Sequence, residues 1–143
     1  MFYKPPTHTE ILEHFEFFDS WEDKYRYIIE LGKELPQLDS QSRIEENLIR
    51  GCQSQVWITH HFDKDQKTLK FKIDSDAHIV RGLICTILSI YQNQTPTQIV
   101  KRDIESFFSN LGLLNHLSPT RGNGLRAMVG HIRTIAQEIV SNP

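Results

Sequence analysis

The stretch from Asp74 to Tyr91 constrains the fold more than any other part of the chain. Val80, Leu83, Ile84, Ile87, Leu88 and Tyr91 recur there at helical spacing, and Ile79 and Ile90 widen the apolar face. A helix apolar over so much of its circumference cannot rest on a surface and needs neighbours on several sides. It is therefore expected at the buried centre of the fold, with Asp74, Ser75 and Asp76 as competing N-caps.

The other elements are read by the same rules. Ile11, Leu12, Phe15 and Phe18 predict a short amphipathic helix over 9–18. Ser20 before Trp21-Glu22-Asp23 is an N-cap with acidic residues in the first turn; Trp21, Tyr25, Ile28 and Leu35 continue that helix towards Pro36. Residues 37–47 are polar and read as a connection with room for one helical turn. The runs 56–62 and 68–73 carry β-branched and aromatic residues around Asp63-Lys64-Asp65-Gln66, which predicts an antiparallel hairpin, with Leu48 and Ile49 beginning a further strand. Thr95-Pro96-Thr97-Gln98 combines an N-cap, proline at the first position and a capping-box glutamine, so a short helix with Ile99 and Val100 inward starts there. Phe107, Phe108, Leu111, Leu113, Leu114 and Leu117 form an apolar cluster. Ser118-Pro119 opens a last helix through Leu125, Met128, Val129, Ile132, Ile135 and Ile139, its regularity weakened by Gly122, Gly124 and Gly130. The class is α+β, helix-dominated, with a small antiparallel β-sheet flanked by several α-helices.

A chain of 143 residues fits one domain, 1–143, and buries roughly two thirds of its unfolded surface unaided. Its 16 basic and 18 acidic residues are interspersed and offer no stripe to a phosphate backbone, which argues against nucleic acid as a partner. Glu10, Glu13, Glu16, Asp19 and Glu22 leave no secretory h-region near the start, and no apolar run approaches membrane-spanning length, so a cytoplasmic location is expected.

Of the two cysteines, Cys52 lies between Gly51 and the polar run Gln53-Ser54-Gln55, at the entry to a strand, where a structural core cysteine would have apolar neighbours. A glycine-permitted turn can present such a thiol outward as a nucleophile, helped by backbone amides, Arg50, Gln53 and Gln55. No resolving cysteine follows within residues 53–56, which argues against thioredoxin-type exchange. A hydrolase would have to recruit a histidine; spacing leaves His60, His61, His78 and His116 open, but no protease signature is present. A lone mobile thiol is suited to attacking an electrophilic sulfur, holding it as a persulfide and surrendering it to another thiol.

The remaining candidates are weaker. Cys85 sits mid-helix beside the apolar face and reads as packing; a Cys52–Cys85 disulfide is not expected in a reducing compartment. His60 and His61 point to opposite faces of a strand, and no paired cysteines or His-x-x-x-His helix exist, so no metal site is expected. Gly122-Asn123-Gly124 lacks the preceding strand and Gly-Lys-Ser/Thr ending of a phosphate loop. Arg121, near the start of the last helix, is either a solvated cation or a support for a thiolate anion.

Residues 21–32 (Trp-Glu-Asp-Lys-Tyr-Arg-Tyr-Ile-Ile-Glu-Leu-Gly), the string Gly51-Cys52-Gln53-Ser54-Gln55-Val56-Trp57, Asp74-Ser75-Asp76-Ala77 and His116-Leu117-Ser118-Pro119-Thr120-Arg121 together resemble the SufE family of sulfur acceptor proteins. The resemblance implies a SufE/IscU-like fold with the cysteine at a loop tip, tucked against an apolar cavity at rest. It implies that Cys52 takes sulfane sulfur as a persulfide from a cysteine desulfurase, SufS-like or CsdA-like, stimulates that enzyme, and passes the sulfur to an iron–sulfur assembly scaffold complex. The pyridoxal phosphate belongs to the desulfurase and this chain needs no cofactor of its own. Gly51, Gln53, Ser54, Gln55, Asp76 and Arg121 match family positions and are expected to support loop placement or docking. Competing readings are a non-catalytic allosteric activator of the desulfurase and a metal or cluster scaffold, the latter disfavoured because Cys52 and Cys85 are too few thiolates. Either a monomer or a homodimer is compatible with the sequence.

Overall fold

The apolar segment after Asp76 forms helix α3 (His78–Tyr91), and Val80, Leu83, Ile84, Cys85, Ile87, Leu88, Ile90 and Tyr91 are all buried along it. The computed structural model describes residues 3–142, so the expected domain limits at residues 1, 2 and 143 lie outside the described residues. Around α3 pack α1 (His8–Phe17), α2 (Trp21–Glu34) and a two-stranded antiparallel sheet of β1 (Val56–Asp63) and β2 (Thr68–Ser75). Helices α4 (Pro96–Lys101), α5 (Ile104–Leu111) and α6 (Pro119–Ser141) complete an α+β fold; α4 packs on α6 and α5 on α1. Each fully buried Leu or Ile contributes about 1.5–3 kcal/mol, so α3 is the main apolar anchor of the molecule.

Helix ends follow local chemistry. Thr7 and Thr95 form capping boxes with Glu10 and Gln98, and Ser20, Asp103 and Ser118 cap α2, α5 and α6. The expected cap of α3 differs. Ala77 occupies the N-cap without a side-chain bond, because β2 runs on through Asp74 and Ser75. The Asp74 carboxylate is instead buried, accepting from the backbone N–H of Leu38 at 2.9 Å and pairing with the Arg81 guanidinium. Arg81 also donates to the carbonyls of Gly32 and Leu35, so one cation ties the end of α2 to α3 and β2.

At the α2–α3 crossing, a Cβ on Gly82 would lie 2.0 Å from the Ile28 carbonyl oxygen, so only glycine permits this approach. The α2 face turns Ile28 and Leu31 inward and leaves Trp21 and Tyr25, on the same side, half-buried. Val100 is likewise half-buried, while Ile99 is fully enclosed.

The hairpin register pairs Val56 with Ser75 and Asp63 with Thr68. Leu69, Phe71 and Ile73 point into the core with period two. The free edge of β2 is covered by the buried amide of Gln92, which accepts from Phe71 N–H at 2.7 Å and donates to Phe71 O at 3.0 Å. Instead of a further strand, Leu48 makes an isolated antiparallel bridge with Trp57, and Ile49 N–H donates to Val56 O at 2.8 Å. The polar connection contains one 3₁₀ turn, Glu45–Asn47. Glycines 122, 124 and 130 do not interrupt α6. Among the described residues, no helix is long and apolar enough to cross a membrane.

Candidate functional site

The Ile49–Val56 bond closes residues 50–55 into a loop that carries Cys52. Gly51 turns the chain with φ +93°, a left-handed conformation that side chains resist, and a Cβ there would lie 3.3 Å from Cβ of Ala127 on α6. This turn lays Cys52 over the first part of α6. Its Sγ approaches the Gly124 carbonyl oxygen at 3.5 Å and lies 3.7 Å from where a Gly124 Cβ would be. Cys52 is half-buried, and burial pushes its thiol above the ordinary cysteine range.

Behind the thiol is a recess of about 30 Å³. Its inner wall is apolar: Val56 from β1, Val80 and Leu83 from α3, Leu125 and Met128 from α6. Gln53, Ser54, Thr120 and Arg121 form its polar mouth. Burial in this recess disfavours the thiolate, so ionisation of Cys52 becomes easier when the loop leaves the recess or a cation comes near.

The structure brings Cys52, Gln53, Ser54 and Arg121 to one recess. Arg121 stands exposed in the first turn of α6, its backbone N–H donating to the Ser118 cap. Asp76 is joined to the loop one step away: its Oδ1 accepts from Gln55 N–H at 3.1 Å, and its own N–H meets Gln55 O at 3.4 Å. The histidines do not line the recess. His116 stacks on Trp21 with ring centroids 3.7 Å apart and its Nδ1 faces Gly112 O at 3.1 Å. His60, His61 and His78 are exposed on β1 and at the start of α3.

Cys85 is fully buried, with its Sγ 3.3 Å from Leu31 O, and burial pushes its thiol up to about 12. Among the described residues, no three His, Cys, Asp or Glu side chains are grouped so as to hold a metal ion.

Sequence reasoning missed Gly124, Leu125, Met128, Val80 and Leu83 as parts of the site. The available signal was the glycine pair at 122 and 124 inside a helix pattern, which marks a face that another backbone approaches closely.

A half-buried thiol on a short loop, backed by an apolar recess, defines a small α+β protein built around one protected cysteine. Comparison with known proteins gives the particular family. Residues 9–136 match the SufE family model, described as an Fe-S metabolism associated domain. An uncharacterized SufE-like protein of Rhizobium meliloti (strain 1021) is 45% identical over 130 residues, covering 90% of this chain and 93% of that one. A second, from Rhizobium etli, is 46% identical over 130 residues, covering 90% and 88%. The solution structure of a hypothetical protein from Thermus thermophilus shares the fold, with a TM-score of 0.74 at 15% identity over 98% of this chain and all of that one. The chain belongs to the SufE family.

Proposed function

We propose that this protein is a sulfur acceptor and carrier of iron–sulfur metabolism, in which Cys52 takes sulfane sulfur from a cysteine desulfurase and holds it as a persulfide. The Cys52 thiolate attacks the terminal sulfur of the desulfurase persulfide. A new S–S bond forms on Cys52, the donor S–S bond breaks, and the desulfurase cysteine leaves as a thiolate. The sulfur then passes by the same exchange to an iron–sulfur assembly scaffold. Clearing the donor cysteine would raise desulfurase turnover, while this chain has negligible turnover of its own.

The observation that carries the reading is the placement of Cys52: on a glycine-hinged loop, with its thiol against an apolar recess. In a reducing cytoplasm a persulfide left in solvent would be stripped by free thiols, and this placement supplies shelter. Access for the partner requires the loop to move, and Gly51 and the Asp76 clasp are the points at which it is held.

Incubation with a cysteine desulfurase and cysteine should add ~32 Da to Cys52, one sulfur atom gained by exchange, and Cys52→Ser should abolish the adduct. No adduct at Cys52, with desulfurase stimulation retained in Cys52→Ser, would overturn the carrier in favour of an allosteric activator.

A further inference from the structure

We propose that an open groove at the end of α6 receives the exposed Phe17 of a second copy of this chain, so that the protein associates head to tail. The proposal is independent of the carrier reading, and its test needs no desulfurase.

Among the described residues, three large apolar side chains stand exposed, and Phe17 at 81% and Val140 at 41% are two of them. Phe17 ends α1, edge-on to Phe18 at 5.6 Å, and Phe18 rests on Tyr27 with ring centroids 5.8 Å apart. Between His8 and Asp23 the chain carries six acidic residues and no lysine or arginine. Glu10 closes the α1 capping box, and Glu22 and Asp23 pair with Arg26. Glu13, Glu16 and Asp19 are exposed and make no ion pair among the described residues. Spacing puts Glu13, Glu16 and Phe17 on one helix face. The result is an aromatic knob inside an acidic rim.

Val140 lies in a groove of opposite character. Phe62, Pro96 and Ile139 share its apolar lining, Lys64 and Lys67 stand in the same lining, and no acidic residue lines it. Both lysines are exposed and make no ion pair among the described residues. The Asp63 carboxylate is turned into the hairpin, accepting from Asp65 and Gln66 N–H at 2.9 and 3.1 Å, so Asp65 alone offsets the two lysines at the tip.

Knob and groove belong to opposite ends of the molecule. His116, just before α6, stacks on Trp21, which packs edge-on against Phe15 of α1; the groove lies at the last residues of α6. The 23 residues of that helix span about 35 Å, far beyond the reach of one side chain, so Phe17 cannot fill its own chain's groove. Ring into groove and carboxylates onto ammonium groups make a heterologous contact, which repeats because each added copy keeps one free ring and one free groove. The aromatic anchor supplies the binding energy and the charges set the orientation. A contact built on one ring and one groove falls short of the ~1,200 Å² of a stable interface, so association is weak and concentration-dependent.

Sedimentation equilibrium of the full chain reads this association, in reductant so that no Cys52 disulfide links copies. At low salt the weight-average mass should rise with concentration and pass the dimer without a plateau. At ~0.15 M ionic strength, where the Debye length is about 8 Å, it should fall back. Phe17→Ser and Val140→Asp should each be monomeric alone, with unchanged helical circular dichroism. Mixed in equal amounts they should form a dimer and nothing larger, since Val140→Asp supplies only the ring and Phe17→Ser only the groove. Lys64→Glu with Lys67→Glu should abolish association without touching the apolar wall, and a copy carrying Glu13→Lys, Glu16→Lys and Asp19→Lys should restore it.

A wild type that stays monomeric up to millimolar concentration at low salt would overturn the proposal. So would association that survives both single variants. A mixture of the two that stays monomeric while wild type associates would place the contact elsewhere and overturn it as well.

Discussion

The Sγ of Cys52 approaches the carbonyl oxygen of Gly124 at 3.5 Å, linking the loop to α6 shortly after its Ser118-Pro119 start. The contact exists because Gly124 has no side chain and Gly51 turns the loop towards it. Replacing Gly124 with leucine sends a side chain into the space of Cys52, whose Sγ, Cα and Cβ lie 3.7–3.9 Å from the Cβ position. The loop is then displaced. Gly124→Leu should keep the helical circular dichroism while Cys52 alkylates faster and titrates closer to the ordinary thiol range, read from the pH profile of iodoacetamide labelling. An unchanged labelling profile would show that Gly124 does not seat the thiol.

Asp76 holds the other end of the loop through its bond to Gln55 N–H. Asp76→Ala removes that acceptor from an exposed position. A hydrogen bond of about 1 kcal/mol corresponds to about a fivefold shift in a local opening equilibrium, so labelling of Cys52 should accelerate by about that factor. The global thermal midpoint should move little. A large fall in thermal stability with unchanged labelling would assign Asp76 to the fold rather than to the loop.

Legibility in the sequence follows the range over which each interaction acts. The capping box at Thr95–Gln98 and the proline after Ser118 are local, and both helices begin where those residues direct. The hairpin is local as well, since its register is carried by a short turn and alternation in Leu69, Phe71 and Ile73. Asp74 resembles a cap in sequence, yet its partners, Leu38 N–H and Arg81, come from segments that only tertiary packing brings together. The cysteine itself stands out from its polar neighbours and its family string. Its recess does not, because Val80, Leu83 and Met128 look like ordinary core positions until α3, α6 and the loop converge.

The Asp74–Arg81 pair is buried, with side-chain exposures of 2% and 13%. Removing one partner from such a pair strands the other charge, at a cost of about 3–5 kcal/mol. Asp74→Ala should therefore lower the urea midpoint sharply. Asp74→Ala combined with Arg81→Met should recover part of the loss, since it leaves no stranded charge. A double variant as unstable as Asp74→Ala alone would assign the loss to the bonds these side chains make with the backbone, Asp74 with Leu38 and Ser75 N–H and Arg81 with the Gly32 and Leu35 carbonyls, not to the uncompensated cation.

Cys85 gives a pH dependence whose sign is fixed by its burial. Its thiol is pushed up to about 12 in the folded protein, first by desolvation in the core. In the unfolded chain it ionises near the ordinary value of about 8.5. Below that value both states hold the proton and Cys85 contributes no pH dependence. Above it the unfolded state loses its proton while the folded state keeps it, so folding stability falls as pH rises, by up to about 1.4 kcal/mol per unit. The fall continues until the folded thiol itself ionises at about 12. Tyr3 and Tyr27, also raised by burial, add to the slope only above their ordinary range near pH 10. Between about pH 8.5 and 10 the contrast with Cys85→Ala therefore isolates this thiol, while Cys52 contributes equally to both proteins. Urea unfolding at intervals through that window should give a steeper decline for wild type than for Cys85→Ala. Parallel slopes would mean that the Cys85 thiol ionises alike in the folded and unfolded chain, contrary to its enclosure against Leu31 O.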